Sequence, residues 1–155
     1  MTEKIDAVKI TEEIKALLDS LLKASSLEIR VSLKEAGTDL HFDLDGNDCD
    51  ILLEDGASLL YAFNHLVNQI FYRRLGKGRN IVLDCLRYRA ERELELVLMA
   101  EKAAEQARTT GRKLVLQPMN AAERRIIHLR LADEKGIRTE SEGFGQNRRI
   151  SIFPA

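Results

Sequence analysis

Cysteine and proline are scarce in this chain, two of each in 155 residues, and glycine contributes only nine. So few breakers, beside 45% hydrophobic and 32% charged residues, exclude a disordered or low-complexity polypeptide and predict a packed globule. Cys49 and Cys85 are far apart and each is set among apolar residues (CDILL, IVLDCL), which predicts buried free thiols and excludes a disulfide framework. No apolar run approaches the roughly 18 residues that span a bilayer, so membrane insertion is not expected. The first residues, MTEKIDAVKI, lack the apolar segment of a secretion signal, which predicts a cytoplasmic protein. Histidine is also rare. His41 and His65 have no ligand spacing to a cysteine or carboxylate, so no metal site and no cofactor are expected. GKG at 76–78 and GFG at 143–145 lack the strand-to-helix context of a phosphate loop and read as turns.

The formal net charge of −1 conceals a polarity along the chain. Residues 1–75 carry 8 Lys+Arg against 14 Asp+Glu, net −6; residues 76–111 carry 7 against 6, net +1; residues 112–155 carry 9 against 5, net +4. A polyanionic ligand is therefore expected at the C-terminal third alone.

Hydrophobic periodicity divides the chain into two modules that abut near residue 86. Residues 7–24 place Val8, Ile14, Leu17, Leu18, Leu21 and Leu22 at helical spacing. LEIRVSL (27–33) and DLHFDLD (39–45) alternate like an antiparallel hairpin with one buried face. A short helical turn, a break at Gly56, a helix over about 57–74 and an apolar strand at 80–85 follow. Tyr61, Phe63, Phe71 and Tyr72 lie on that helix, where core packing accounts for them. From 87 to 109 the chain reads as a long helix, 113–118 as a strand stopped by Pro118, and 137–142 with 148–153 as a terminal hairpin. Between them Asn120 is placed to cap a helix, with Glu123 three residues on as its capping-box partner. The fold class is α/β (α+β), with the order αββααβ followed by αβαββ.

That last predicted helix carries the chemistry. Arg124 and His128 stand at i and i+4, hence on one face, with Arg125 beside them. An arginine offers a planar fork for phosphate and a face for stacking on an unpaired base, and an imidazole adds a ring and a hydrogen bond. The same two residues also fit a structural role, with His128 packed under the helix and Arg124 paired with Glu140 or Glu142. Arg148 and Arg149 open the last strand, and Phe144 stands between two glycines at the hairpin tip, where an aromatic ring can stack on a base. No convergent acid, base and nucleophile is present, so an enzyme is not expected.

Arg124-xxx-His128, with TESEG at 139–143 and RRISIFP at 148–154, resembles the R-three-H domain, which binds single-stranded nucleic acid. The stretch from Arg79 to Pro154 is similar to the bacterial Jag (SpoIIIJ-associated, KhpB-like) proteins. The resemblance implies a type II KH-like domain over 1–86 and an R-three-H domain over 87–155, without the additional Jag-N domain. It also implies a non-enzymatic binder of single-stranded RNA or single-stranded DNA, with a small KH protein as partner. A KH domain that binds nucleic acid carries a Gly-x-x-Gly loop, usually basic in these proteins, where the backbone approaches phosphate. Here Leu53-Glu54-Asp55-Gly56 stands in that place. With the first glycine gone and two carboxylates in the loop, it is expected not to bind RNA. Binding is therefore assigned mainly to Arg124, Arg125, His128, Arg148, Arg149 and Phe144. The alternative is a protein–protein adapter whose acidic first module no longer binds RNA.

Overall fold

A computed structural model describes residues 2–155, in two compact units, one up to Arg89 and one from Ala90 to Ala155. The first contains α1 (Thr2–Ala24), β1 (Ile29–Ala36), β2 (Leu40–Gly46), α2 (Cys49–Leu75) and β3 (Ile81–Cys85). The second is built on α3 (Tyr88–Thr110), β4 (Leu114–Val115), α4 (Ala121–Leu131), β5 (Ile137–Glu142) and β6 (Arg149–Pro154), with a short 3-10 turn at Gly145–Asn147. The class is mixed α+β, as the periodicities predict.

In the first unit the sheet order is β1-β2-β3, antiparallel between β1 and β2 and parallel between β2 and β3. Alternation buries Leu40, Phe42 and Leu44 on β2 and Ile81, Leu83 and Cys85 on β3. Against them pack Ile14, Leu18 and Leu22 of α1, at the i, i+4, i+8 spacing of one helical face. Each such side chain stabilises the unit by about 1.5–3 kcal/mol relative to exposure. Val8 lies beyond this stripe and is exposed; Ile10 is buried instead. Tyr61 and Phe63 are half-buried and Phe71 is buried, but Tyr72 is exposed. The reason is angular: Val67, Phe71 and Leu75 form the inward stripe of α2, and Tyr72 is turned about 100° out of it. Cys49 and Cys85 are free and buried, and burial followed by the neighbouring Cys49 pushes the Cys85 thiol up, which keeps it protonated.

The outer edge of β3 is closed by side chains rather than by another strand. Asn68 accepts from Ile81 N (2.8 Å) and donates to Ile81 O (2.6 Å), while Asn64 accepts from Leu83 N (2.8 Å). Two amides one helical turn apart on α2 thus satisfy backbone groups that would otherwise be unpaired.

In the second unit β6 is the centre of a sheet ordered β4-β6-β5, antiparallel throughout. The register sets Thr139 opposite Ile152, Ser141 opposite Ile150 and Leu114 opposite Ile152, so these residues share the face covered by helices. Ala100, Ala103, Ala104 and Ala107 form the buried face of α3, where small side chains let the helix come close to Ile127, Leu131, Ile150 and Ile152. The opposite sheet face carries Arg138, Glu140, Glu142, Arg149, Ser151 and Phe153. There Lys113 and Arg138 stand over the Phe153 ring at 4.9 Å and 4.6 Å.

Candidate nucleic-acid interface

Helix α4 begins where its sequence dictates. Asn120 is extended (φ −70, ψ 170), its Oδ1 accepts from Glu123 N (3.0 Å), and Glu123 Oε2 accepts from Asn120 N (3.0 Å). This capping box fixes the register of the four following residues. Ile127 and Leu131 then face the core, and Arg124 and His128 lie on the flank beside it, half-buried.

Arg124 Nη1 donates to Met119 O at 2.7 Å. That partner is a neutral carbonyl. Glu140 is taken by Arg138, and Glu142 by Lys113 at 2.7 Å, so the carboxylate pairing considered for Arg124 is not formed. Both acids lie on the sheet face opposite α4, for the parity reason given above. The guanidinium is pinned in place and keeps its charge for a ligand.

His128 sits over β5, with Nδ1 2.7 Å from Thr139 Oγ1. Burial, then the adjacent Arg124, lowers the imidazole from its ordinary value, so it is neutral at pH 7. Arg148 Nε donates to Ser141 Oγ at 2.9 Å, which lays this third guanidinium against the end of β5. Ala121, Arg124, Arg125, His128, Leu129, Ser141 and Arg148 together line an open concavity of about 430 Å³. Three guanidiniums and one imidazole face it and no carboxylate does.

Arg149 is not part of this group. One residue along an extended strand reverses the side chain, so Arg149 stands with Glu142, whose carboxyl it helps to hold below the usual range after Lys113 and Ser151. Phe144 is 93% exposed at the hairpin tip. The preceding Gly143 has φ +89, and a Cβ there would lie 2.9 Å from Asn147 O, so only glycine closes this turn. Met119, Thr139 and Ser141, which hydrogen-bond the candidate residues, were not predicted as site residues; Thr139 and Ser141 carried a signal, as part of the TESEG at 139–143.

In the first unit, Glu54 is extended (φ −58, ψ 155), and Asp55, Gly56 and Ala57 are all left-handed. This breaks α2 into the two helices expected from the sequence. Leu53 is half-buried, whereas Glu54, Asp55 and Gly56 are exposed, so two carboxylates stand at the tip of the loop. Asn64, Asn68, Tyr61 and Arg89 line a second concavity, but its groups serve one another. Arg89 donates to Leu83 O (2.8 Å) and Asn64 Oδ1 (3.1 Å) and lies 5.2 Å from the Tyr61 ring. Among the described residues, no group of three or more His, Cys, Asp or Glu is placed to hold a metal ion, and no helix is long and apolar enough to cross a membrane.

The arginine–histidine pair, the capping box before it and the hairpin behind it lie within one matched segment. Residues 94–154 match the R-three-H domain. Across nearly the whole chain there is similarity to proteins named RNA-binding protein KhpB. That of Bacillus subtilis is 29% identical over 154 residues, 98% of this chain and 73% of the relative. That of Clostridium symbiosum is 29% identical over 144 residues, 93% and 64% respectively, and that of Lactiplantibacillus plantarum 30% over 150 residues, 90% and 44%. The chain thus spans between under half and about three quarters of the length of these relatives.

Proposed function

We propose that this protein is a non-enzymatic binder of single-stranded RNA, acting in the cytoplasm through the R-three-H surface of its second unit. The observation that carries the reading is the concavity on which Arg124, Arg125, Arg148 and His128 converge with no acid among them. Guanidiniums bind phosphate through paired donors and stack on bases, and a half-buried imidazole offers a ring edge and face. The relatives' name, RNA-binding protein KhpB, supports the same class. Arg149 is reserved for a peripheral electrostatic role, and Phe144 for stacking on a base that extends past the hairpin tip.

The first unit is proposed to be a KH-like domain, over residues 1–86, that does not hold RNA at its loop. Its element order and the parallel β2–β3 pair support the fold assignment. Exposed Glu54 and Asp55 support the loss of phosphate binding, because they oppose an incoming anion at a helix N-terminus. A small KH protein is the partner that the resemblance suggests for the protein.

The salt dependence of binding tests the reading. Three guanidiniums on three phosphates give a log–log slope of roughly −2 for a single strand, at about −0.7 per phosphate. A flat response, or tighter binding to duplex than to single strand, would refute it and favour a protein-binding adapter.

A further inference from the structure

The guanidiniums of Arg124 and Arg148 come from different elements, and one backbone segment joins them. Met119 O accepts from Arg124 Nη1 (2.7 Å), and Met119 N donates to Arg148 O (3.2 Å). Next to it, Asn120 O accepts from Arg124 N (3.0 Å), and Asn120 N donates to Glu123 Oε2 (3.0 Å). The relative placing of the two ligand-facing arginines therefore depends on where residues 119 and 120 are held.

Glu123 holds Asn120 directly, and Met119 as the residue joined to it, and is only 5% exposed. A carboxylate that far from water needs a charged partner, or it takes up a proton or turns outward. The partner is Arg92 on α3, whose Nε lies 2.7 Å from Glu123 Oε1. Neither Arg92 nor Glu123 lines the concavity.

We propose that Arg92 is a positioning residue for nucleic-acid binding: half-buried and shared on its exposed side with Glu95, it pairs with the buried Glu123, and this pair fixes the Met119–Asn120 segment, and through it the convergence of Arg124 and Arg148. The proposal rests on the R-three-H surface being the RNA site. Without Arg92, the Glu123 carboxylate leaves its buried position, Asn120 N loses its acceptor, and the turn that carries the Met119 carbonyl loosens. Arg124 keeps its charge but loses its fixed direction.

The test compares binding of a short fluorescein-labelled oligouridylate by the parent, Arg92→Met, Arg92→Lys, Arg124→Ala and the Arg92→Met/Arg124→Ala double variant. Measurements are made at a temperature where circular dichroism shows each to be folded. Arg92→Met should weaken binding roughly fivefold or more, within the range of couplings in one polar network, and Arg92→Lys should recover part of it. In the Arg124→Ala background the same change should have little further effect, because Arg92 acts through Arg124; a residue that matters only for stability shows no such coupling. Parent-like binding by Arg92→Met, or an equal loss in both backgrounds, would overturn the proposal while leaving the surface assignment intact. Parent-like binding by Arg124→Ala would overturn both. Should Arg92→Met not fold, Glu123→Ala, which removes the acceptor of Asn120 N without leaving an unpaired buried carboxylate, takes its place in the same comparison with the same expected outcomes.

Discussion

Arg124→Ala is the perturbation that weighs most on the RNA-binding reading. In the folded protein the Arg124 guanidinium has, among the described residues, a single hydrogen bond, to the Met119 carbonyl, and faces the concavity with His128, Arg125 and Arg148. Its removal has two separable costs. Stability falls by about 1 kcal/mol for the lost hydrogen bond to the Met119 carbonyl. Binding of a single strand falls by about 1–3 kcal/mol, or roughly 5- to 150-fold, when the lost group stacks on a base or clamps a phosphate. His128→Ala should lose a comparable amount, and the double variant less than the sum if the two side chains meet one nucleotide. Lysine at 124 separates charge from shape: it reaches either Met119 O or the ligand and has no planar face. Fluorescence anisotropy at fixed salt gives the affinities, and thermal melts give the stabilities. If Arg124→Ala melts lower yet binds as the parent does, the residue is a structural brace and the assignment of the surface fails.

Arg148→Ala should weaken binding about tenfold, and Arg149→Ala clearly less, since adjacent extended residues put the two guanidiniums on opposite sheet faces; equal losses in an anisotropy titration would place the ligand elsewhere. Phe144→Ala should leave the melting temperature unchanged, given 93% exposure, and reduce single-strand affinity by about 1–3 kcal/mol if the ring stacks. Replacing both Glu54 and Asp55 by lysine should leave RNA affinity unchanged or raise it, and a loss in a folded variant would show that this loop binds in another way. The His128 imidazole is lowered by burial and then by Arg124, so the unfolded chain protonates first as pH falls. Its contribution to stability therefore decreases below about pH 6.5 and levels off under the folded-state value. RNA phosphate favours the charged ring, so affinity should rise over that same interval; His128→Gln should abolish both trends, and an unchanged affinity profile in that variant would exclude His128 from the site.

Much of this was legible in the sequence because local rules are enough for it. Alternation in LHFDLDG and IVLDC fixes which residues face the core, and Asn120 with Glu123 fixes where α4 starts and hence that Arg124 and His128 share a side. Gly56 marks the break in α2, though the left-handed residues extend to Asp55 and Ala57, which no propensity favours. The tertiary structure decided what depends on residues distant in sequence. Whether Arg124 would be cancelled by Glu140 or Glu142 was open until strand parity set those acids on the far face, beside Arg138 and Lys113. The same parity separates Arg149 from Arg148, a pair that reads as one basic patch in the sequence. The contacts that join the site, Met119 to Arg124 and Arg148, Ser141 to Arg148, Thr139 to His128 and Arg92 to Glu123, span up to 31 positions. Helical and strand periods carry information over a few residues only. The sequence therefore determined which groups the protein has for a nucleic acid, and packing between elements decided which of them point the same way.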